Sequence, residues 1–183
     1  MIIGESAGEN LNLTTDYLFT NYFNTFIGFK AGQYSLSVAN SIFIGNESGA
    51  NIRYGSNNII LGNDVGIVPL NANDIISIGN ANATYDNSIT LGISNYNFGY
   101  NNLVLGKRNN VIGDYNINIG NDNIMSNLNK SIFIGNCLNY NASNIHSNLI
   151  MIGNDINTCN YIINIGDTIL KYDDYNKTQI LFL

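Results

Sequence analysis

One short unit recurs along nearly the whole chain: a polar residue, an apolar one, a variable one, an apolar one, then Gly. It reads Asn24-Thr-Phe-Ile-Gly28, Ser41-Ile-Phe-Ile-Gly45, Asn58-Ile-Ile-Leu-Gly62 and Ile75-Ile-Ser-Ile-Gly79. It continues through Gly92, Gly106, Gly120, Gly135, Gly153 and Gly166, and a truncated copy, Ile2-Ile-Gly4, opens the chain. From Gly28 the glycines are spaced by 17, 17, 17, 13, 14, 14, 15, 18 and 13 residues. No interval holds a helix plus a strand, so each must be a coil of short strands and turns. A single coil cannot bury its own apolar face, and a fixed period of this kind means coils stacked into a solenoid.

Strand geometry sets an expectation for each coil. Side chains alternate between two faces. The residues three and one before each Gly are almost all Ile or Leu, and the uniform apolar pair is expected to face the coil interior. The residue between them is Phe26, Phe43, Ile60, Ser77, Thr90, Val104, Asn118, Phe133, Met151 or Asn164. That mixture is expected to face outward or toward a partner, with Phe26, Phe43, Ile60, Phe133 and Met151 as the oligomer contact. The Gly suits a sharp turn or a close backbone approach. Asn is roughly a fifth of the residues and Ile about a sixth. Asn tolerates left-handed turn conformations and can form stacked side-chain ladders. With strands about 4.8 Å apart, the nine intervals predict a rod roughly 43 Å long.

Composition removes several alternatives. The chain is 45% apolar, too much for a disordered polypeptide. Asn, Gly and Ile are poor material for long helices. A net charge of -6, with only seven scattered Lys and Arg, argues against nucleic acid. No apolar run is long enough for a transmembrane helix, and no basic-then-apolar leader is visible at the N-terminus.

The units Ile3-Gly-Glu-Ser-Ala-Gly8, Ile27-Gly-Phe-Lys-Ala-Gly32, Ile44-Gly-Asn-Glu-Ser-Gly49 and Leu61-Gly-Asn-Asp-Val-Gly66 add a second pattern. Together with the ten strand units they resemble the head repeats of trimeric autotransporter adhesins, and the similar repeats of phage and large-virus fibre proteins. The resemblance covers roughly residues 2–170. It implies an all-β, left-handed parallel β-roll or β-solenoid of about ten short rungs, interlocked as a homotrimer. It also implies a role in surface attachment or as a rigid structural spacer. Two features depart from the family pattern. The first coils exceed its usual period. The small residue three after the Gly (Ala7, Ala31, Ser48, Val65) later becomes Asn95, Asn109, Asn123, Leu138 and Ile156, which predicts a wider or differently shaped coil in the second half. The family's bacterial signal peptide, heptad stalk and membrane barrel have no counterpart here, which favours a viral or phage-like particle component.

The repetitive domain is expected over 1–170, with an insert at about 9–23 and a capping or docking tail over 171–183. The apolar end, Ile180-Leu-Phe-Leu183, is read as a cap ahead of a docking element.

The search for chemistry finds little. His146 sits in an Asn- and Ser-rich stretch and reads as a loop residue. Cys137 and Cys159 fall at different phases of their coils and read as thiols. Asp64, Asp122 and Asp155 share the second position after the repeat Gly, with Asp167 one earlier. They could line a cation-binding corner, but turn chemistry is the favoured account. A glycan-degrading enzyme would need two carboxylates about 5–9.5 Å apart in a cleft. Asp173-Asp174, Asp74 and Asp86 are the weak candidates. Thr90 alone in its column makes an ice-binding Thr row poor. The six Asn-x-Ser/Thr sequons match the number this much Asn produces by chance. Tyr85, Tyr96, Phe98, Tyr100 and Tyr115 cluster near the middle, suited to sugar stacking or, preferably, to subunit contacts.

The sequence therefore predicts a non-enzymatic structural or attachment module with no cofactor, metal or catalytic residue. Its expected place is a fibre, spike or capsid-associated assembly on a virion or particle surface. Its expected partners are two more copies, neighbouring structural proteins, and host surface glycan or protein, with no membrane insertion. A cell-surface adhesin head is the alternative.

Overall fold

A computed structural model describes residues 1–11, 22–65, 71–154 and 163–164, with 141–146 and 163–164 described by backbone alone. Every regular element in these residues is a strand. The chain is a parallel β-solenoid. A long sheet stacks Ile2–Ile3, Thr25–Ile27, Ile42–Ile44, Ile59–Asn63, Ile76–Asn80, Ile89–Ile93, Leu103–Lys107, Ile117–Asn121, Ile132–Asn136 and Leu149–Asn154 in chain order, all parallel. Eight complete coils lie between Thr25–Ile27 and Leu149–Asn154. The repeat glycines fall in register, as in Gly79–Gly92–Gly106–Gly120–Gly135–Gly153.

The last unit departs from expectation. Ile163–Asn164 pairs antiparallel with Leu149–Asn154, so it is a return strand and not another rung. An alternating apolar motif specifies a strand with two faces; its direction is set by the chain leading into it. Gly166 lies outside the described residues.

The second wall changes identity midway: the coil takes a different shape where the third position after Gly shifts, but from Gly79 to Gly135 it is tighter and not wider. In the early coils it is a three-stranded sheet, Ser37–Ala39, Tyr54–Ser56 and Asn71–Asn73. In the later coils it is a five-stranded sheet running from Ala83–Thr84 through Tyr96–Phe98, Asn110–Ile112 and Ile124–Asn129 to Asn139–Ser147. Early coils cross from the long sheet by a wide turn closed by a second glycine. At Gly49 (φ 60°) a Cβ would come within 2.7 Å of the Phe43 ring, so the absent side chain makes room for that ring. Later coils cross in a tighter turn, from Gly79 directly to Ala83.

The faces of the long sheet are the reverse of the expected ones. The middle residue of each unit is the interior one: Phe26, Phe43 and Phe133 are wholly buried, whereas Ile42 and Ile134 are 38% and 39% exposed. Strict alternation fixes which residues share a face but not which face is inside. What decides is volume. The 17-residue coils enclose Phe26, Phe43 and Ile60. The coils of 13 to 15 residues enclose Ser77, Thr90, Val104 and Asn118. The 18-residue coil encloses Phe133. Interior side chains thus scale with the cross-section they fill, as close packing requires.

The result is two apolar cores, one around Phe26, Phe43 and Ile60 and one around Val104, Met125 and Phe133. The rings of Phe26 and Phe43 stack with centroids 4.7 Å apart. Between the cores runs a polar stretch with internal partners: Thr84 donates to Ser77 (3.0 Å), Asn97 to Thr90 (3.0 Å), and Asn102 to Asn97 (2.9 Å).

Two corners of the later coils are amide ladders. At one, Asn82, Asn95, Asn109 and Asn123 stack. Each side-chain oxygen accepts the backbone N–H of the next rung at 3.0–3.1 Å, ending at Leu138. Each Nδ2 donates to the carbonyl of the following repeat glycine at 2.7–2.9 Å. At the other, side-chain oxygens of Ser88, Asn102, Asn116 and Ser131 accept the backbone N–H of the next rung at 2.8–3.1 Å, up to Leu149, and the two Asn amides donate to the Gly113 and Leu128 carbonyls.

Candidate functional site

Two surfaces stand out. The first is the outer face of the long sheet. Residues one before each Gly (Ile27, Ile44, Leu61, Ile78, Leu91, Leu105, Ile119, Ile134 and Ile152) form one column. Residues three before it form a parallel column, aliphatic from Ile42 to Ile150. All are half-exposed or exposed. No charged side chain interrupts either column. An unbroken apolar strip of this extent is uncommon on an isolated soluble surface. The residues expected to make oligomer contacts, Phe26, Phe43, Ile60, Phe133 and Met151, lie inside the coil and cannot make them.

The second surface is a hollow of about 250 Å³ where the five-stranded sheet turns toward the long sheet. Tyr85, Phe98 and Ile112 fall in one outward column, because Tyr96–Phe98 and Asn110–Ile112 pair in register. Gly99 and Gly113 put bare backbone beside them, and Tyr100 and Asp114 form the rim. Tyr85 meets the Phe98 ring edge-on at 4.4 Å, and Tyr96 lies parallel to it at 5.9 Å. Burial, then the neighbouring phenols of Tyr96 and Tyr100, raises the Tyr85 pKa, so its hydroxyl stays protonated well past neutrality. Asp114 Oδ1 accepts the Tyr100 N–H at 2.8 Å, and the Asp114 N–H donates to Asn129 Oδ1 at 2.8 Å. Four of the five aromatics singled out from the sequence therefore lie together. Tyr115 is exposed at the next corner and does not line the hollow. Asp114 and Ile112 carried no sequence signal; only the register brings them beside Phe98.

The remaining candidates disperse. Asp64 and Asp122 share a corner column of left-handed residues with Lys30, Glu47, Ala81, Ser94, Arg108 and Cys137. Four rungs separate the two carboxylates. Asp122 is engaged by Arg108 at 2.5 and 2.7 Å, which lowers the Asp122 pKa and raises that of Arg108. Turn chemistry accounts for both, and no group of metal-ligating side chains occurs among the described residues. Asp74 is itself left-handed and accepts from Asn57 Nδ2 at 2.9 Å, and Asp86 accepts the Asn73 N–H at 3.1 Å. His146 is not a loop residue: its backbone lies in the strand Asn139–Ser147, opposite Leu128. Cys137 is exposed. Cys159, Asp155, Asp167, Asp173-Asp174, most of the 9–23 insert and the 171–183 tail lie outside the described residues. No helix is long and apolar enough to cross a membrane among the described residues. No family model, curated protein or solved structure matches the chain.

Proposed function

We propose that this chain is a non-enzymatic structural and attachment module, a rigid β-solenoid that assembles as a homotrimer in a fibre, spike or capsid-associated part of a viral or phage-like particle. The observation that carries the assembly is the pair of aliphatic columns on the long sheet. Polar groups line the coil's corners, so the strip is a place where copies can meet without stranding charge. From Ile27 to Ile152 the strip is about 38 Å long and three residues, roughly 10 Å, wide. Three such faces turned toward a common axis exclude water from all of them at once. The three-fold number and the particle setting rest on the resemblance of the repeats; the face rests on the columns.

Light scattering on a sizing column tests assembly. The expected mass is three times 20.1 kDa, about 60 kDa. Replacing Ile78 and Ile134, both on the strip, by Lys is expected to give a folded 20.1 kDa monomer with an unchanged β spectrum. A monomeric wild-type chain removes the trimer. A trimer untouched by both lysines moves its contact elsewhere. The particle setting is tested separately, by finding the chain at fixed stoichiometry in purified particles.

A further inference from the structure

We infer that the aromatic hollow between Phe98 and Asp114 is a binding site for a trimethylammonium head group. Three rings, Tyr85, Phe98 and Tyr100, border a space of about 250 Å³. That is below the roughly 300–1,000 Å³ of pockets for drug-sized ligands, so it suits one small head group. The Phe98 ring is held in place before any ligand arrives, edge-on by Tyr85 and face-parallel by Tyr96. Ring faces carry negative potential and attract organic cations, and clusters of such rings recognise quaternary ammonium groups.

The charge on the rim has the matching sign. Asp114 makes no ion pair among the described residues, while its Oδ1 is held by the Tyr100 N–H. The carboxylate is therefore fixed in orientation, and no Lys or Arg among the described residues pairs with it. A neutral sugar is a poorer occupant. It needs several directed donors and acceptors, and this lining offers only phenols and one carboxylate on an apolar floor. A quaternary ammonium needs none, because its attraction to rings and carboxylate is not directional.

The site lies on a different wall from the aliphatic strip, so it can be tested whatever the oligomeric state. Choline is titrated against the full chain, with the aromatic side-chain NMR signals as the readout. Its neutral carbon isostere, 3,3-dimethylbutan-1-ol, is the comparison. Choline is expected to bind roughly tenfold more tightly than the isostere, the sum of a few exposed cation–ring contacts. Phe98→Leu keeps apolar bulk but removes the ring, and is expected to abolish most of that selectivity. Asp114→Asn keeps an oxygen for the Tyr100 N–H, and is expected to weaken choline but not the isostere. Tyr115→Ala, at the next corner and outside the hollow, is expected to leave both unchanged. Phosphocholine and a trimethyl-lysine peptide distinguish a lipid or glycan source from a protein one, and tighter binding of either than of the isostere supports the site. Equal binding of choline and isostere, no choline binding, preference for a methyl glycoside, or a hollow filled by a second copy would each overturn it.

Discussion

At the scale of single residues, the repeat glycine is the position with the least freedom. Gly106 has φ 131°, and a Cβ there would overlap the carbonyl oxygen of Gly120 on the next rung. Two independent penalties coincide, one of backbone conformation and one of contact. Gly106→Ala is expected to destabilise the fold by about 3 kcal/mol or more, read from denaturant unfolding. Loss under about 1 kcal/mol would show that the rungs can spread. This role was legible in the sequence, because no other residue type ever replaced Gly at that phase. The left-handed residues two positions later were not. Lys30, Ala81, Arg108 and Asp122 share one conformation without sharing any chemistry, since the bonds between neighbouring rungs hold the backbone there whatever the side chain.

At the scale of elements, the question is why a parallel stack with a partly polar interior holds together. The corner ladders answer it. Each asparagine fills a sharp bend, accepts a backbone N–H from one rung and donates to a carbonyl, so buried backbone groups at the bends are paired. Asn109→Ala removes an acceptor for the Asn123 N–H and a donor to the Gly120 carbonyl. A loss of about 2–3 kcal/mol is expected in thermal or denaturant melts, with both neighbouring rungs gaining amide exchange. Asn109→Leu would lose nearly as much, because a Leu can neither accept the Asn123 N–H nor donate to the Gly120 carbonyl. In the sequence the ladders show only as a general habit of stacked asparagine. The inside and outside of the strands are the reverse of what the apolar pair suggests. Ser77, Thr90 and Asn118 read as surface residues by polarity alone, whereas coil length decides which side chains the interior can hold. The shortening from 17 to 13 residues at Gly79 already said that the interior there has room only for small side chains.

At the scale of the whole molecule, the coils of the second half are nearly interchangeable. Deleting Lys107–Gly120 removes one 14-residue coil and joins Gly106 to Asn121, reproducing the Gly120–Asn121 junction. Asn102 Nδ2 then meets the carbonyl that Asn116 now holds, and Val104 stacks beside the Met125 rung. The shortened chain is expected to fold with an unchanged β spectrum and to be about 4.8 Å shorter by small-angle scattering. Removing twelve residues instead of fourteen leaves two surplus residues in one coil, and is expected to melt at a lower temperature than the fourteen-residue deletion because that coil loses its corner contacts. Register between the repeat glycines thus gives the molecule a currency of its own: length is counted in whole coils. An assembly built on such a chain could reset a distance by one strand spacing at a time, by duplication or loss of a segment of DNA some forty bases long, without redesigning a single contact.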